Sequence, residues 1–214
     1  MASIFKPERH LLLIQLKKYA HYVNGDVLDV GSGKNSRYSD LFKVNKYTTL
    51  DNNRDLEPDI VADAQNIPLG DESFDSIIST QTLEHIPNPQ KAIGEFYRLL
   101  KKRGYAVVSV PFFNESHEEP HDYWRFTKFS LEKIFSDAGF KIITMNQRGG
   151  FFSVLSQNII RYMINGLNLS KRKWGILLAP FLKIFGLFMI FLDKIDSSES
   201  NRKFALGWVI VAQK

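Results

Sequence analysis

The stretch SHEEPHDYWRFT, Ser116 to Thr127, holds two histidines, three acids, an arginine and the pair Tyr123 and Trp124. A histidine titrates near neutrality and can take the proton of a reacting hydroxyl, so His121 with Asp122 beside it reads as a base and its orienting acid, with His117 as the alternative. Arg125 can grip a phosphate or carboxylate of a substrate through two parallel hydrogen bonds. Tyr123 and Trp124 offer a stacking wall for a sugar or nucleoside. The same residues admit a purely structural arrangement, in which Asp122 and Arg125 pair to pin the loop over packed aromatics. Residue type alone allows a metal on His117, Glu118 and His121, but acids and histidines on a loop usually ligate nothing, and no metal is expected.

A second stretch, LDVGSGKNS from Leu28 to Ser36, follows a valine- and leucine-rich run. Gly31 and Gly33 permit a tight turn and close approach of backbone to a ligand, with a helix expected to begin just beyond. A dinucleotide fingerprint would place a third glycine at position 36, where this chain has Ser36. Asp29, just before the first glycine, suits a ligand carrying an ammonium group and opposes a pyrophosphate. Asp51, about 20 residues further on, stands where a carboxylate accepts from both hydroxyls of a ribose.

The elements that position these residues alternate. An apolar-periodic helix is expected over ERHLLLIQLKKYAHYV, then strands at GDVLDV, KYTTLD, PDIVAD and SFDSIIST, with a short helix around RYSDLFKV. NPQKAIGEFYRLLKKRG reads as a helix capped by Asn88 and stopped by Gly104, followed by a strand at YAVVSV. A capped helix at SLEKIFSDAG and strands at FKIITMN and KFALGWVIVAQK complete the pattern of a doubly wound α/β sheet. In such a sheet ligands bind at the carboxyl ends of the strands, which puts Ser116–Thr127 on the same edge as Asp29 and Asp51.

VLDVGSG, LDNN and VADAQNIPLGDESFDSIISTQTLEHIPNPQKAIGEFYRLLKKRGYAVVSVP resemble the class I S-adenosylmethionine-dependent methyltransferases. The resemblance implies a Rossmann-like seven-stranded sheet with an antiparallel last strand, and S-adenosyl-L-methionine as cofactor. It implies further that Asp29, Gly31 and Gly33 surround the methionine part, that Asp51 holds the ribose with Asn52 beside it, that Asp63 and Ala64 lie at the adenine, and that Gln81 lines the pocket under the sulfonium. Asn35 departs from the family, many of whose members carry a further glycine there. Glu84 and His85 fall near the cofactor edge in this resemblance, and their expected role is capping or packing. The word HDYWRFT resembles one found in methyltransferases encoded among genes for cell-surface polysaccharides, which implies a glycan acceptor.

The chain has 214 residues, no cysteine and a formal charge of +5. Thiol chemistry and disulfides are thereby excluded, and the charge favours an anionic partner without selecting one. Lysines and arginines are scattered rather than striped among aromatics, so no nucleic acid is expected. Residues 1–148 and 204–214 read as the cofactor domain, and 149–203 as a hydrophobic helical insertion whose ends reach the cofactor edge. Within it GILLAPFLKIFGLFMIFL is apolar nearly all round, is broken by Pro180 and Lys183, and is flanked by SKRKW and DK. Peripheral membrane contact through 174–192, a buried lid or dimer surface, and a true span all stay open. The oligomeric state is likewise open. No long apolar segment opens the sequence, so the expected location is the cytoplasm, at the inner face of the membrane where that segment attaches. The expected activity is O-methylation of a glycan or lipid-linked sugar. The alternatives are methylation of another small molecule such as a quinone, and a non-catalytic nucleotide-binding module.

Overall fold

The computed structural model describes residues 4–34 and 36–214; Asn35, the departure from the family pattern, lies outside them. Seven strands form one sheet: β1 (Asp26–Val30), β2 (Lys46–Asp51), β3 (Ile60–Val61), β4 (Phe74–Thr80), β5 (Leu100–Pro111), β6 (Lys141–Arg148) and β7 (Gly207–Gln213), in the order β3-β2-β1-β4-β5-β7-β6. The pairs β2–β3, β1–β2, β1–β4 and β4–β5 are parallel. Strand β7 runs antiparallel to β5: Arg103 donates to Lys214 at one end, and Phe112 donates to Leu206 at the other. The strand order reverses at β1 and β4, and their carboxyl ends flank the crevice where such sheets take ligands.

The helices are α1 (Pro7–Tyr19), α2 (Pro89–Leu99), α3 (Lys128–Asp137), α4 (Phe151–Gly166), α5 (Lys173–Ile195) and α6 (Glu199–Arg202). Asn88 caps α2 by accepting from the Lys91 N–H at 3.2 Å, and Pro89 occupies its first position. Ala92, Ile93, Phe96 and Leu99 of α2 are buried with Leu28, Val30, Ile77, Val108 and Ile210 of the strands, which makes this helix the main cover of one sheet face.

The residues cluster into two compact units. Gln15–Pro111, Ser116–Asn146 and Trp208–Lys214 form the first, which holds most of the sheet. The second comprises Phe112–Glu115, Gln147–Gly207 and the N-terminal chain up to Ile14. It is therefore wider than the insertion read at 149–203. Its own contacts explain this: fully buried Arg148 pairs with Glu8 at 2.7 Å, Arg161 pairs with Glu115, and the Phe113 and Phe204 rings meet at 5.8 Å. Within this unit Asp193 of α5 accepts from the N–H groups of Gly150, Phe152 and Ser153 at 2.8–3.0 Å, satisfying the free donors at the start of α4. Ile4, Ile160, Ile164, Leu169 and Leu182 form its apolar core. Helix α5 contains Pro180, and its 22 residues Trp174–Ile195 are long and apolar enough to cross a membrane.

Three expectations change. The helix around RYSDLFKV is only a 3-10 turn, Ser39–Leu41; Ser and Asp there favour turns over helix interiors. The helix expected through Gly104 ends at Leu99, because Leu100 pairs with Phe74 and Arg103 with Lys214, so sheet pairing overrides the helix propensity of Lys101–Arg103. Gly104 is needed for a different reason from helix termination: a Cβ there would lie 2.8 Å from the Asp75 carbonyl. The third strand shortens to two residues, since the Asp59 carboxylate takes the Thr49 N–H and hydroxyl, both at 2.8 Å.

Candidate active site

Strand β1 delivers Asp29 one residue before its end, and β2 delivers Asp51 at its last residue, in parallel register. The Gly31 and Ser32 N–H groups both donate to the Leu50 carbonyl, at 2.8 and 3.2 Å, and the Gly33 N–H donates to Asp51 Oδ2 at 3.1 Å. The glycine turn is thus closed onto β2, and its donors are already engaged. Among the described residues only the 3-10 turn follows, so the helix N-terminus that a pyrophosphate would need is missing.

The two glycines do different work. Gly31 has φ +73°, and a Cβ there would fall 2.2 Å from the Thr82 side chain, so β1 and β4 close on each other only without one. Gly33 has φ +60° and faces nothing within 4 Å. Its open face is where a bound molecule can approach the backbone.

Asp29 is buried, with the Tyr47 hydroxyl donating to Oδ2 at 2.9 Å. Burial pushes its carboxyl up to about 7, against the Tyr47 hydrogen bond that favours the charged form, and the nearby Asp51 charge adds to the rise. A cation beside Asp29 would relieve that cost. Tyr47 was not singled out from sequence, although the register carries the signal: it pairs with Val27, so it shares a sheet face with Asp29, two residues on.

The other cofactor candidates are placed as follows. Asp51 Oδ1 accepts from Asn53 N–H at 3.0 Å, and Asn52 is exposed beside it. Asp63 is exposed and both its oxygens are held by Gln65 Nε2, at 3.1 and 3.0 Å. The Ala64 side chain is buried in the core, leaving its backbone to any ligand. Gln81, just past β4, has φ +55°, a conformation uncommon for a residue with a Cβ; its N–H donates to the Ser109 carbonyl at 2.9 Å and its Nε2 to Ser109 Oγ at 3.2 Å. Thr82 and Ser109 were missed in the sequence, where each is one hydroxyl among many.

The loop after β5 is stitched to the 3-10 turn Leu83–His85. Tyr123 and Trp124 N–H groups donate to the Glu84 carbonyl at 2.9 and 3.2 Å, Trp124 Nε1 donates to the Ile86 carbonyl at 3.0 Å, and His85 Nδ1 lies 2.8 Å from the His121 carbonyl. Asp122 does not meet His121. Its buried carboxylate forms two 2.6 Å hydrogen bonds with the Arg125 guanidinium, accepts the His117 N–H at 3.0 Å and lies 3.4 Å from His117 Nδ1. The Arg125 guanidinium holds that carboxyl down at about 2, opposed by partial burial. His121 is exposed, and its Nδ1 lies 3.0 Å from the Tyr123 hydroxyl. Neighbours in an extended chain point to opposite sides, so adjacency in sequence pairs Asp122 with residues several positions away. Tyr123 and Trp124 are 45% and 40% exposed, as a stacking wall must be.

Residues 28–108 match the family model described as a methyltransferase domain. An uncharacterized protein of Methanocaldococcus jannaschii is 32% identical over 140 residues, 61% of this chain and 61% of that protein. The chain thus spans about three fifths of the length of that curated relative. A methyltransferase candidate from Bacillus halodurans has a similar structure, with TM-score 0.58, 18% identity, and coverage of 94% of this chain and 98% of that one. The Haemonchus contortus phosphoethanolamine N-methyltransferase 2, solved in complex with S-adenosyl-L-methionine, gives TM-score 0.59 at 16% identity, covering 94% of this chain and 51% of that one. The residues present fit that cofactor: a buried carboxylate suits its ammonium, the open face of Gly33 admits it, and Asp51 stands at the end of β2 for its ribose. Residues 28–108 thus match a methyltransferase domain, and the sheet has the fold of the solved methyltransferase structures to which it is similar.

Proposed function

We propose that the chain transfers a methyl group from S-adenosylmethionine to a hydroxyl of a glycan or lipid-linked sugar. Buried Asp29, raised to about 7 beside the open Gly33, is the observation that carries the methyl-donor half of this reading. When bound, S-adenosylmethionine supplies an electrophilic methyl group on a sulfonium. Asp29 binds the ammonium, Asp51 the ribose hydroxyls, and Asp63 the adenine amine, with Gln65 yielding one of its hydrogen bonds. Gln81, held by Ser109, would line the floor of that site.

On the acceptor side, His121 takes the hydroxyl proton at Nε2 while its Nδ1–H donates to the Tyr123 hydroxyl. Asp122 is a positioning residue: it fixes Arg125 and His117, and so the loop that carries His121. Tyr123 and Trp124 stack on the sugar. A lipid-linked acceptor is supported by α5, whose Leu177, Phe181, Ile184, Phe188 and Phe191 are all more than half exposed, with Lys183 and Lys194 beside them. Such a face suits attachment in the plane of an anionic lipid surface. On this reading the protein works in the cytoplasm at the inner membrane face.

Labelled methyl transfer to membrane extracts tests the activity, and lipid extraction of the product tests the acceptor class. Label in a glycolipid is expected, and His121→Ala abolishes it while keeping cofactor affinity. Label in a quinone instead, or full transfer by His121→Ala, overturns the acceptor or the base respectively. Flotation with anionic liposomes tests α5, and protein that stays at the bottom of the gradient contradicts attachment.

A further inference from the structure

Glu84, His85 and His117 stand together: one carboxylate oxygen and one ring nitrogen from each histidine all lie within 4.8 Å of one another. Glu84 is fully buried and both histidines are partly buried. The tautomer of His85 follows from its surroundings. Its Nδ1 lies 2.8 Å from the His121 carbonyl, which can only accept, so Nδ1 carries a proton and Nε2 is the nitrogen left to face a cation. That Nε2 faces Glu84 Oε1 at 3.9 Å and Glu118 Oε2 at 3.7 Å. Nε2 and the two carboxylate oxygens converge on one point, a donor set that a bound cation can join.

His117 is prepared in the same sense. Its Nδ1 is 3.4 Å from Asp122, itself clamped by Arg125, so Nδ1 faces an acceptor. The two rings meet edge to face, with centroids 4.9 Å apart and planes at 82°, rather than stacking. Metal-ligating histidines usually have the second ring nitrogen fixed by a carbonyl or a carboxylate, and here one histidine has each.

We propose that Glu84, His85 and His117 bind a divalent transition-metal ion, with exposed Glu118 as a fourth ligand. Two imidazoles and a carboxylate suit zinc and its neighbours rather than calcium or magnesium, which prefer all-oxygen sites. The ion ties the turn after β4 to the acceptor loop, and four protein ligands make this a closed, structural site. Nothing in this inference depends on the acceptor or on methyl transfer.

The test uses untagged full-length protein, stripped with a chelator and then titrated with zinc in competition with a chromophoric chelator and, separately, with cobalt. One equivalent of zinc is expected to bind, and cobalt to give a visible ligand-field band. His85→Ala and His117→Ala should each weaken zinc by about tenfold or more, while His21→Ala leaves it unchanged. Retained S-adenosylhomocysteine binding shows that the variants are folded. If both fail that check, Glu118→Gln decides, with an expected fall of a few-fold in a ligand whose removal disturbs no core. Absence of stoichiometric zinc binding and of a cobalt band in the wild type overturns the proposal, as does unchanged affinity in folded His85→Ala and His117→Ala, or in Glu118→Gln where that variant decides.

Discussion

Replacing Asp29 with asparagine separates what this residue does for binding from what it does to stability. Its carboxyl is raised from 3.8 to about 7, chiefly by burial. A raised carboxyl means that the folded protein holds the proton more tightly than the unfolded chain does. No stability is lost below pH 3.8; the loss grows as pH rises towards 7 and is complete above it. The two values bound that loss at about 4 kcal/mol, so Asp29→Asn should gain stability over wild type at pH 8 and little at pH 4. Binding runs the other way. A cationic ligand needs the ionised carboxylate, whose population rises by roughly fifteenfold between pH 5.5 and 7, and wild-type affinity for S-adenosylhomocysteine should rise in step. Calorimetry in two buffers of different ionisation enthalpy will show a proton released on binding in this range. In Asp29→Asn the affinity is weak and flat, and this release is absent. An equally steep rise in Asp29→Asn, or a variant no more stable than wild type at pH 8, refutes the reasoning.

Gly31→Ala drives a Cβ into Thr82 and should cost several kcal/mol in denaturant unfolding, whereas Gly33→Ala, with open space around it, should lose only about 1 kcal/mol yet bind S-adenosylhomocysteine at least about tenfold more weakly. Arg125→Met leaves the buried Asp122 carboxylate uncompensated, and a loss of about 2–4 kcal/mol with faster proteolysis of the loop is expected. Since Asp122 is held down at about 2, its stabilisation is present above pH 4 and disappears as pH falls through 2, so the deficit of Arg125→Met should shrink in acid. Glu8→Gln removes the charge paired with fully buried Arg148 and should cost about 3–5 kcal/mol by the same measurement.

The parallel strands were legible because buried strands read as short apolar runs: Asp26–Val30, Lys46–Asp51 and Phe74–Thr80 end within a residue or two of where the sequence puts them. The glycine turn and the acids at the ends of consecutive strands were legible for the same reason, since they are local signals. What failed was non-local. Lys101–Arg103 favour helix by themselves, and only their pairing to the last residue of the chain makes them strand. His121 and Asp122 look like a dyad in sequence, but the loop takes its shape from Glu84 and Ile86, which lie more than 30 positions away. Glu84 and His85 read as capping residues because no histidine from the loop is near them until the chain folds back.

The central claim is that the carboxyl edge of β1, β2 and β4 holds S-adenosylmethionine rather than a dinucleotide. Calorimetry of the purified chain with S-adenosylhomocysteine and with NAD, repeated on Asp51→Ala, tests it most directly. The account predicts one equivalent of S-adenosylhomocysteine, no NAD, and an affinity cut at least about tenfold in Asp51→Ala, where two ribose hydrogen bonds to a charged group are lost. Tight NAD binding without S-adenosylhomocysteine binding would contradict it.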